Sequence, residues 1–289
     1  MAWPSIADLI GAEGEVAMLG APLEAGSVTP GRCDLAPGLV RDTLRRFSTY
    51  DVETDEELAT RVRDAGDVAV QGVSPAEAFA PIRDSVAACA AAHPLTLLLG
   101  GNNAVTRPAA HGLGLPLDRI GLITLDAHFD MRDTGHGPMN GNPVRCLLED
   151  GLPGRNICQI GLAPFANTAE MRRDAAAAGI AGYSISNCIE SGIEAVLDDA
   201  LGRLAHVEAL MVDFDIDVID RSQCPGAPGA RPGGMPVRMF FEAARRLAAQ
   251  PVVRLVDLTE FDPGLDVGDV TALTAARWVC EVLAGYSMR

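Results

Sequence analysis

The sequence predicts an α/β protein with three layers, α-β-α, whose central sheet is mostly parallel. Two observations support this fold class. Six short apolar runs have the length of buried strands, and helix-like segments rich in Ala, Arg and Leu lie between them. Buried strands that alternate with helices are typical of a parallel sheet covered on both faces. Because no repeat or long linker interrupts the pattern, we expect residues 1–289 to form a single domain.

The predicted strands are apolar throughout, without the polar alternation of a half-exposed strand. In chain order they are EVAMLGAP (15–22), LTLLLGG (95–101), RIGLITLDAH (119–128), NICQIGL (156–162), EALMVDFDID (208–217) and VVRLVDLTEF (252–261). Strands of this kind belong in the interior of a sheet.

The predicted helices fill the intervals between these strands. They are the segments 75–93, 167–179, 193–204 and 236–250. The last of them has an apolar stripe at helical spacing, formed by Val237, Phe240, Phe241, Ala244 and Leu247. A stripe of this kind more often packs against a core than binds a cofactor.

Charge and composition exclude several classes of function. The formal net charge is −16, and all 23 basic residues are Arg. An acidic chain without a basic run disfavours nucleic acid and anionic membranes as partners. Without Lys, no Schiff-base or P-loop lysine chemistry is available. We therefore expect a small-molecule partner.

The sequence also indicates where the protein works. No apolar stretch reaches the roughly 18 residues of a membrane span, and the N-terminus lacks the basic start and apolar block of a secretory signal. The seven cysteines are scattered and form no C-x-x-C pair. Reduced thiols in a cytoplasmic protein are the simplest explanation.

Polar side chains gather where the predicted strands end, which is where open α/β sheets bind ligands. They are Asn102 and Asn103; Asp126, His128 and Asp130; Asp213, Asp215, Asp217 and Asp220; and Asp257, Glu260 and Asp262. Strand alternation would place Asp126 and His128 on one side, and likewise Asp213, Asp215 and Asp217.

A buried group of carboxylates needs positive charge to remain ionised. Four of them, Asp126, Asp130, Asp215 and Asp217, would balance two divalent cations. Oxygen-rich ligands with one imidazole favour Mn²⁺ or Mg²⁺ over Zn²⁺. A D-x-H-x-D motif alone is also compatible with a capping and turn cluster. Two Gly/Pro-rich loops, 132–143 and 220–236, follow the acidic motifs, and long loops in a compact domain are usually functional.

Five segments together resemble the ureohydrolase superfamily, which contains arginase, agmatinase and formimidoylglutamase. They are TPGRCDLAPGLVRDTLRRF (29–47), LGGNNAV (99–105), DAHFD (126–130), DFDIDVID (213–220) and EFDPGLDVGDVTALTAAR (260–277). The resemblance implies an arginase-like fold and hydrolysis of a C–N bond in a guanidine or amidine by two Mn²⁺ ions. It also implies that the protein could form a homo-oligomer, a trimer or a hexamer.

The resemblance implies a role for each acidic residue. Asp126 and Asp215 would bridge the two metals, His128 and Asp217 would complete one site, and Asp130 the other. Glu260 would hold the cationic amidinium. His136, the only histidine in the loop after the metal motif, is the candidate proton donor to the leaving amine, although a loop-surface role is equally compatible.

Within the superfamily, three segments look most like formimidoylglutamase: DAHFDMRD with GHGPMNGNPVR, QIGLAPFANT and DRSQCPGAPGARPGG. That resemblance implies conversion of N-formimino-L-glutamate to L-glutamate and formamide, a step of histidine degradation. The candidate substrate-binding residues are Arg132, Arg145, Arg231 and Asn142. Arginines match the two carboxylates of this substrate, but ordinary loop salt bridges would also explain them.

The sequence departs from the family at two positions beside the metals. Asn103 stands where the family usually has a metal-binding His. Its amide oxygen could bind Mn²⁺, or a water could take the vacant place, so we expect weaker binding at one metal. Asp213 replaces a common Ser and adds a negative charge that could offset the lost ligand.

Two other functions remain open at this stage. A guanidino-acid amidinohydrolase, as in agmatinase or arginase, would apply the same chemistry and release urea. A weakly catalytic metal-binding relative, for which Asn103 is the best support, would take up metal without turnover.

Overall fold

A nine-stranded parallel sheet forms the centre of the protein, which is described over residues 3–289 by a computed structural model. The strands are Ile10–Gly11 (β1), Val16–Ala21 (β2), Tyr50–Asp51 (β3), Glu56–Glu57 (β4), Val62–Asp67 (β5), Leu95–Gly100 (β6), Ile120–Leu125 (β7), Ile157–Leu162 (β8), Ala181–Ser184 (β9), Ala209–Asp215 (β10) and Val253–Thr259 (β11). The sheet has the order β1-β5-β2-β6-β11-β10-β7-β8-β9, and β3 pairs with β4 in a separate antiparallel ribbon.

Helices cover both faces of the sheet. They are Ala36–Thr43 (α1), Pro75–Ala92 (α2), Thr106–His111 (α3), Pro143–Asp150 (α4), Ala169–Ala178 (α5), Ile185–Ser191 (α6), Ile193–Arg203 (α7), Val237–Ala248 (α8) and Val270–Tyr286 (α9). One apolar core joins the sheet to α1, α6, α7, α8 and α9, and a second joins it to α2, α3, α4 and α5. The predicted three-layer α-β-α class is confirmed.

The sequence pattern located the interior of the sheet better than its edges. All six predicted strands are present, as β2, β6, β7, β8, β10 and β11, and they are neighbours in the sheet. The pattern missed β1, β5 and β9. These outer strands carry exposed or charged residues, as in VRDAGD of β5, so they lack the continuous apolar run of a strand buried on both faces.

Local signals explain where the longer helices begin. The Ser74 hydroxyl accepts a hydrogen bond from the Glu77 backbone N–H, while the Glu77 carboxylate accepts one from the Ser74 N–H at 2.9 Å. This capping box, with Pro75 in the first turn, starts α2. In α5, Thr168 is the N-cap, and Gly179 ends the helix in the left-handed region (φ 89°).

The strand order brings the polar strand ends together. Strands β6, β11, β10 and β7 are consecutive neighbours and all run in the same direction. Their carboxyl ends therefore lie side by side, and the residues that follow them face a common crevice. Within residues 3–289, no helix has the length and apolar character needed to cross a membrane.

Candidate functional site

Three of the predicted metal ligands form a tight cluster at the ends of β7 and β10. The His128 Nδ1 lies 3.0 Å from the Asp217 Oδ2 and 3.3 Å from the Asp126 Oδ1. One ligand atom from each side chain falls within 4.8 Å of the others. Such a spacing lets the three atoms reach a single metal ion.

Turns, rather than strand alternation, place these ligands. Strand β7 ends at Leu125 and β10 ends at Asp215, so Asp126, His128 and Asp217 lie beyond the strands. The Asp215 carboxylate accepts a hydrogen bond of 2.9 Å from the Asp217 N–H and caps a single 3-10 turn. The predicted alternation of Asp213, Asp215 and Asp217 along one strand is therefore wrong for Asp217.

Asp130 and Asp215 extend the cluster along the same pocket. The backbone of Asp130 is in the left-handed region (φ 52°), which Asp adopts more readily than most residues and which is often found at functional sites. We refer to Asp126, His128, Asp130, Asp215 and Asp217 as the open acidic centre.

Asn103 contacts the centre through its amide nitrogen. Its Nδ2 donates to the Asp130 Oδ2 at 2.7 Å, and its Oδ1 accepts from the Thr106 hydroxyl at 2.6 Å. The structure therefore places Asn103 as a support for Asp130. Its predicted role as a direct metal ligand stays a prediction, and it would require the amide oxygen to turn toward the metal.

The open acidic centre has more carboxyl groups than positive charge. Burial and the charge of Asp217 raise the pKa of Asp126 to about 6. Burial and the neighbouring carboxylates raise the pKa values of Asp130 and Asp215 well above their ordinary range. The charge of Asp217 raises the pKa of His128 to about 12. Four carboxyl groups thus face one imidazole, and bound cations would relieve the imbalance.

The surroundings of the centre fit divalent metal ions. The buried Asp126 Oδ2 has no hydrogen-bond partner among the described residues, although buried polar atoms are normally paired. Gly229 lies against the centre, since a Cβ on it would fall 1.9 Å from the Asp217 Oδ2 and 3.1 Å from the His128 Cε1. Carboxylate oxygens with one imidazole form a donor set that suits Mn²⁺.

Glu260 follows β11 and lines the same pocket. Its Oε1 accepts hydrogen bonds from the Asn103 N–H at 2.7 Å and from the Asn140 Nδ2 at 3.0 Å. Its backbone is left-handed (φ 62°), which is less common for Glu than for Asp. Burial raises the pKa of Glu260 to about 7, so the carboxylate would gain from a cationic partner.

Two of the three predicted substrate-binding arginines line the pocket. Arg132 and Arg231 come from the two Gly/Pro-rich loops, 132–143 and 220–236. The Arg231 guanidinium donates to the Gly229 carbonyl at 2.7 Å. Gly141 leaves room for Arg132, since a Cβ on it would lie 2.6 Å from the Arg132 Cδ.

Three of the predicted catalytic and substrate-binding residues lie away from the pocket lining. Arg145 forms an ion pair with Asp174, and His136 is exposed on its loop. Asn142 is buried, accepts from the Met139 N–H at 2.8 Å and donates to the Gly137 carbonyl at 3.1 Å, so it holds the loop 132–143 in shape. Their roles in binding and catalysis stay predictions.

Asn140 and Asn167 are among the polar residues of the pocket that sequence reasoning missed. Asn167 accepts from the Phe129 N–H at 2.8 Å and donates to the Ala127 carbonyl at 2.9 Å, which fixes the backbone on either side of His128. Both residues lie in loops without periodicity, so only their position in the quoted motifs could have identified them.

Asp213 and Asp257 form a second acidic group outside the pocket. They lie opposite each other in the register of β10 and β11, and both are buried. Burial and the charge of Asp257 raise the pKa of Asp213 well above its ordinary range, and burial raises that of Asp257 to about 7. This raised pKa opposes the negative charge that the sequence led us to expect from Asp213.

Comparisons with known proteins agree with this architecture. The sequence model of the arginase family matches residues 14–285. A formimidoylglutamase of Halalkalibacterium halodurans is 32% identical over 278 residues, which cover 94% of this chain and 87% of that protein. The crystal structure of formimidoylglutamase from Bacillus subtilis matches with a TM-score of 0.94 at 27% identity, and covers 99% of this chain and 92% of that one.

A more distant solved structure supports the fold. The crystal structure of Trypanosoma cruzi formiminoglutamase with two Mn²⁺ ions has a TM-score of 0.91 at 22% identity and covers 99% of both chains. The family match spans almost the whole chain, and the nine-stranded parallel sheet carries the family's acidic motifs at its carboxyl edge. This chain belongs to the arginase family.

Proposed function

We propose that this protein is a Mn²⁺-dependent hydrolase that converts N-formimino-L-glutamate to L-glutamate and formamide, a step of histidine degradation. One observation carries the proposal. A single pocket is lined by four residues of the open acidic centre, by the Glu260 carboxylate and by the Arg132 and Arg231 side chains; the four are His128, Asp130, Asp215 and Asp217. These groups complement a substrate with one cationic amidine and two carboxylates.

The relatives support the substrate class. The Halalkalibacterium and Bacillus proteins are named formimidoylglutamases, and the first aligns over nearly the whole of this chain. The Trypanosoma formiminoglutamase structure contains two Mn²⁺ ions, which agrees with the oxygen-rich donor set here.

We propose that the open acidic centre holds both metal ions. Asp126, His128 and Asp217 would hold one, and Asp130 and Asp215 would take part in holding the other, with Asp126 and Asp215 shared. Bound Mn²⁺ supplies the Lewis acid that makes water nucleophilic at neutral pH. Asn167 and the Asp215 cap keep His128 and Asp217 in place for this task.

The remaining pocket residues orient the substrate. Glu260 would hold the amidinium so that its central carbon faces the open acidic centre. Because the binding energy of this contact orients the substrate before the reaction, the activation free energy of hydrolysis is lower. Arg132 and Arg231 would hold the carboxylates. His136 stays the candidate proton donor to the leaving amine, and because it is exposed, that role requires the loop 132–143 to close over bound substrate.

We also propose a cellular location and an oligomeric state for the enzyme. All seven cysteines are free thiols in the structure, which agrees with a cytoplasmic location. As the family resemblance implies, we propose a homo-oligomer, a trimer or a hexamer.

Product analysis tests the proposed function. Mn²⁺-loaded protein is incubated with N-formimino-L-glutamate and, separately, with guanidino acids, and formamide, glutamate and urea are quantified. We expect formamide and glutamate in equal amounts from the first substrate and no urea from the others. Asp126→Ala, prepared identically, controls for contaminating hydrolases.

Other outcomes would assign other functions. Urea from a guanidino acid, without formamide, would identify an amidinohydrolase. Bound Mn²⁺ with no product from either class would leave the weakly catalytic relative as the better description.

A further inference from the structure

Asn140 joins three loops at the rim of the pocket. It lies in the loop after β7, its backbone N–H donates to the Gly26 carbonyl at 3.1 Å, and its Oδ1 accepts from the Val28 N–H at 2.8 Å. Its Nδ2 donates to the Glu260 Oε1 at 3.0 Å. One half-buried side chain thus connects the loop after β7 to the segment after β2 and to the residue that follows β11.

The orientation of the Asn140 amide follows from its partners. A backbone N–H can only donate, so the Val28 N–H must face the amide oxygen. The amide nitrogen then points to the Glu260 carboxylate. This orientation is consistent, because an ionised carboxylate only accepts hydrogen bonds and of the two amide atoms only the nitrogen donates. The reversed amide would face the carboxylate with an oxygen and leave the Val28 N–H against an NH₂ group, so it is excluded.

This bond leaves one carboxylate oxygen of Glu260 for a ligand. Both hydrogen bonds from protein groups, those of the Asn103 N–H and the Asn140 Nδ2, end on Oε1. Within residues 3–289, Oε2 receives no hydrogen bond, and Glu260 lines the pocket. Two donors on Oε1 fix the carboxylate plane, so Oε2 points in one direction.

We propose that Asn140 is a positioning residue that acts through Glu260. It holds the carboxylate so that Oε2 meets the cationic end of the substrate, and it keeps the segment with Val28 at the same rim. The inference rests on the proposed function only for the identity of the substrate, because any amidinium or guanidinium bound by Glu260 requires the same orientation.

The affinities for a cationic and an anionic ligand distinguish this role from a general stabilisation of the pocket. Guanidinium probes the Glu260 side, whereas L-glutamate probes the arginine side. We expect Asn140→Ala to weaken guanidinium binding, measured by calorimetry on Mn²⁺-loaded protein, about tenfold and to change L-glutamate binding less than twofold. The loss of a hydrogen bond to a charged group corresponds to a reduction in kcat/KM of about 10- to 100-fold.

The matched control is Ser27→Ala. The Ser27 hydroxyl accepts a long hydrogen bond of 3.4 Å from the Asn140 Nδ2 and donates to the Thr29 carbonyl at 2.7 Å. Its removal takes away a second contact of the same amide nitrogen and leaves the 3.0 Å bond from that nitrogen to the Glu260 Oε1 in place. Ser27→Ala should bind both ligands as the wild type does. Thermal unfolding and Mn²⁺ content, measured on all variants, show whether each one is folded and loaded.

A double-mutant cycle tests whether Asn140 acts through Glu260. We expect Asn140→Ala to reduce kcat/KM by less than about threefold in a Glu260→Gln background, because coupled residues are not additive. Equal losses in both backgrounds, unchanged guanidinium affinity, or an equal loss of guanidinium and glutamate affinity would overturn the proposal. A wild-type protein that binds guanidinium with an affinity that Asn140→Ala lowers, but that releases no formamide, would contradict the proposed function alone.

Discussion

Two groups of buried acids lie in the same sheet, two residues apart along β10. The open acidic centre includes Asp215 and faces a pocket with an imidazole, Glu260 and two arginines around it. The closed acid pair, Asp213 and Asp257, lies one step back between β10 and β11, and neither residue lines the pocket. Burial raises pKa values in both groups, so burial alone does not distinguish a metal site from a structural acid pair.

The two groups differ in their access to the pocket and in the neighbours of their carboxyl groups. The closed acid pair has no opening to the pocket. The Thr106 hydroxyl donates to the Asp257 Oδ2 at 3.0 Å, and a proton held between the two carboxyl groups would pair the Asp213 oxygens and the Asp257 Oδ1, which have no other hydrogen-bond partner among the described residues. The open acidic centre has four carboxyl groups and one imidazole, and Asp126 Oδ2 is without a partner in the described residues. An acidic group with unmet charge and an opening is the one that should bind cations.

The largest effect should come from removing an acid of the open centre. We expect Asp215→Ala to lower formamide release at least about 1,000-fold and to reduce bound Mn²⁺ below two per chain, since metal ions contribute several kcal/mol to such reactions. Enzyme assay and elemental analysis measure the two quantities. Normal turnover in this variant would refute a two-metal centre.

A smaller effect should follow from the arginines around the open centre. We expect Arg231→Ala to raise KM about 10-fold or more, since a charge-assisted bond to a carboxylate is lost. Arg145→Ala is the control, because its guanidinium is paired with Asp174 outside the pocket, and its KM should stay within about threefold of the wild type. The reverse ranking would show that Arg145, rather than Arg231, holds a carboxylate of the substrate.

Asn103 allows the metal affinity of the open centre to be tuned. In Asn103→His, an imidazole replaces the amide that now donates to Asp130, and we expect the weaker Mn²⁺ site to bind about tenfold more tightly. Competition with a fluorescent chelator measures the affinity. If affinity and rate both stay at wild-type values, this position has no influence on the metal.

The smallest effect should come from the closed acid pair. In Asp213→Asn, the amide can still donate to Asp257, so we expect two bound Mn²⁺ ions per chain and a kcat/KM within about threefold of the wild type. Loss of metal in this variant would mean that the closed acid pair influences metal binding at the open acidic centre across β10. The pair would then not be a purely structural group.

The sequence predicted the open centre because its residues follow apolar runs. Asp126, His128 and Asp130 come directly after a predicted strand, and Asp215 ends another. Their assembly at one edge follows from parallel strands alone. The sequence did not predict that Asp213 lies beside Asp257 and outside the open acidic centre. Asp257 is 44 residues away along the chain, and only the strand order makes the two residues neighbours.

The contacts of the pocket loops were also beyond sequence reasoning. Asn140 bonds to Val28, 112 residues away, and to Glu260, 120 residues away. Neither pairing leaves a periodic or local signal, in contrast to the capping box of α2. Asn142 and Arg145 stood in a recognisable motif, yet their side chains contact the loop and Asp174 in this structure.

The most direct test of the account is a titration of metal-free protein with Mn²⁺ in which bound metal and formamide release are measured on the same samples. We expect formamide release from N-formimino-L-glutamate to begin only with metal and to reach its plateau at two Mn²⁺ ions per chain. Full formamide release by metal-free protein, or a plateau of bound Mn²⁺ that Asp215→Ala leaves unchanged, would contradict the claim that the open acidic centre is the catalytic metal site.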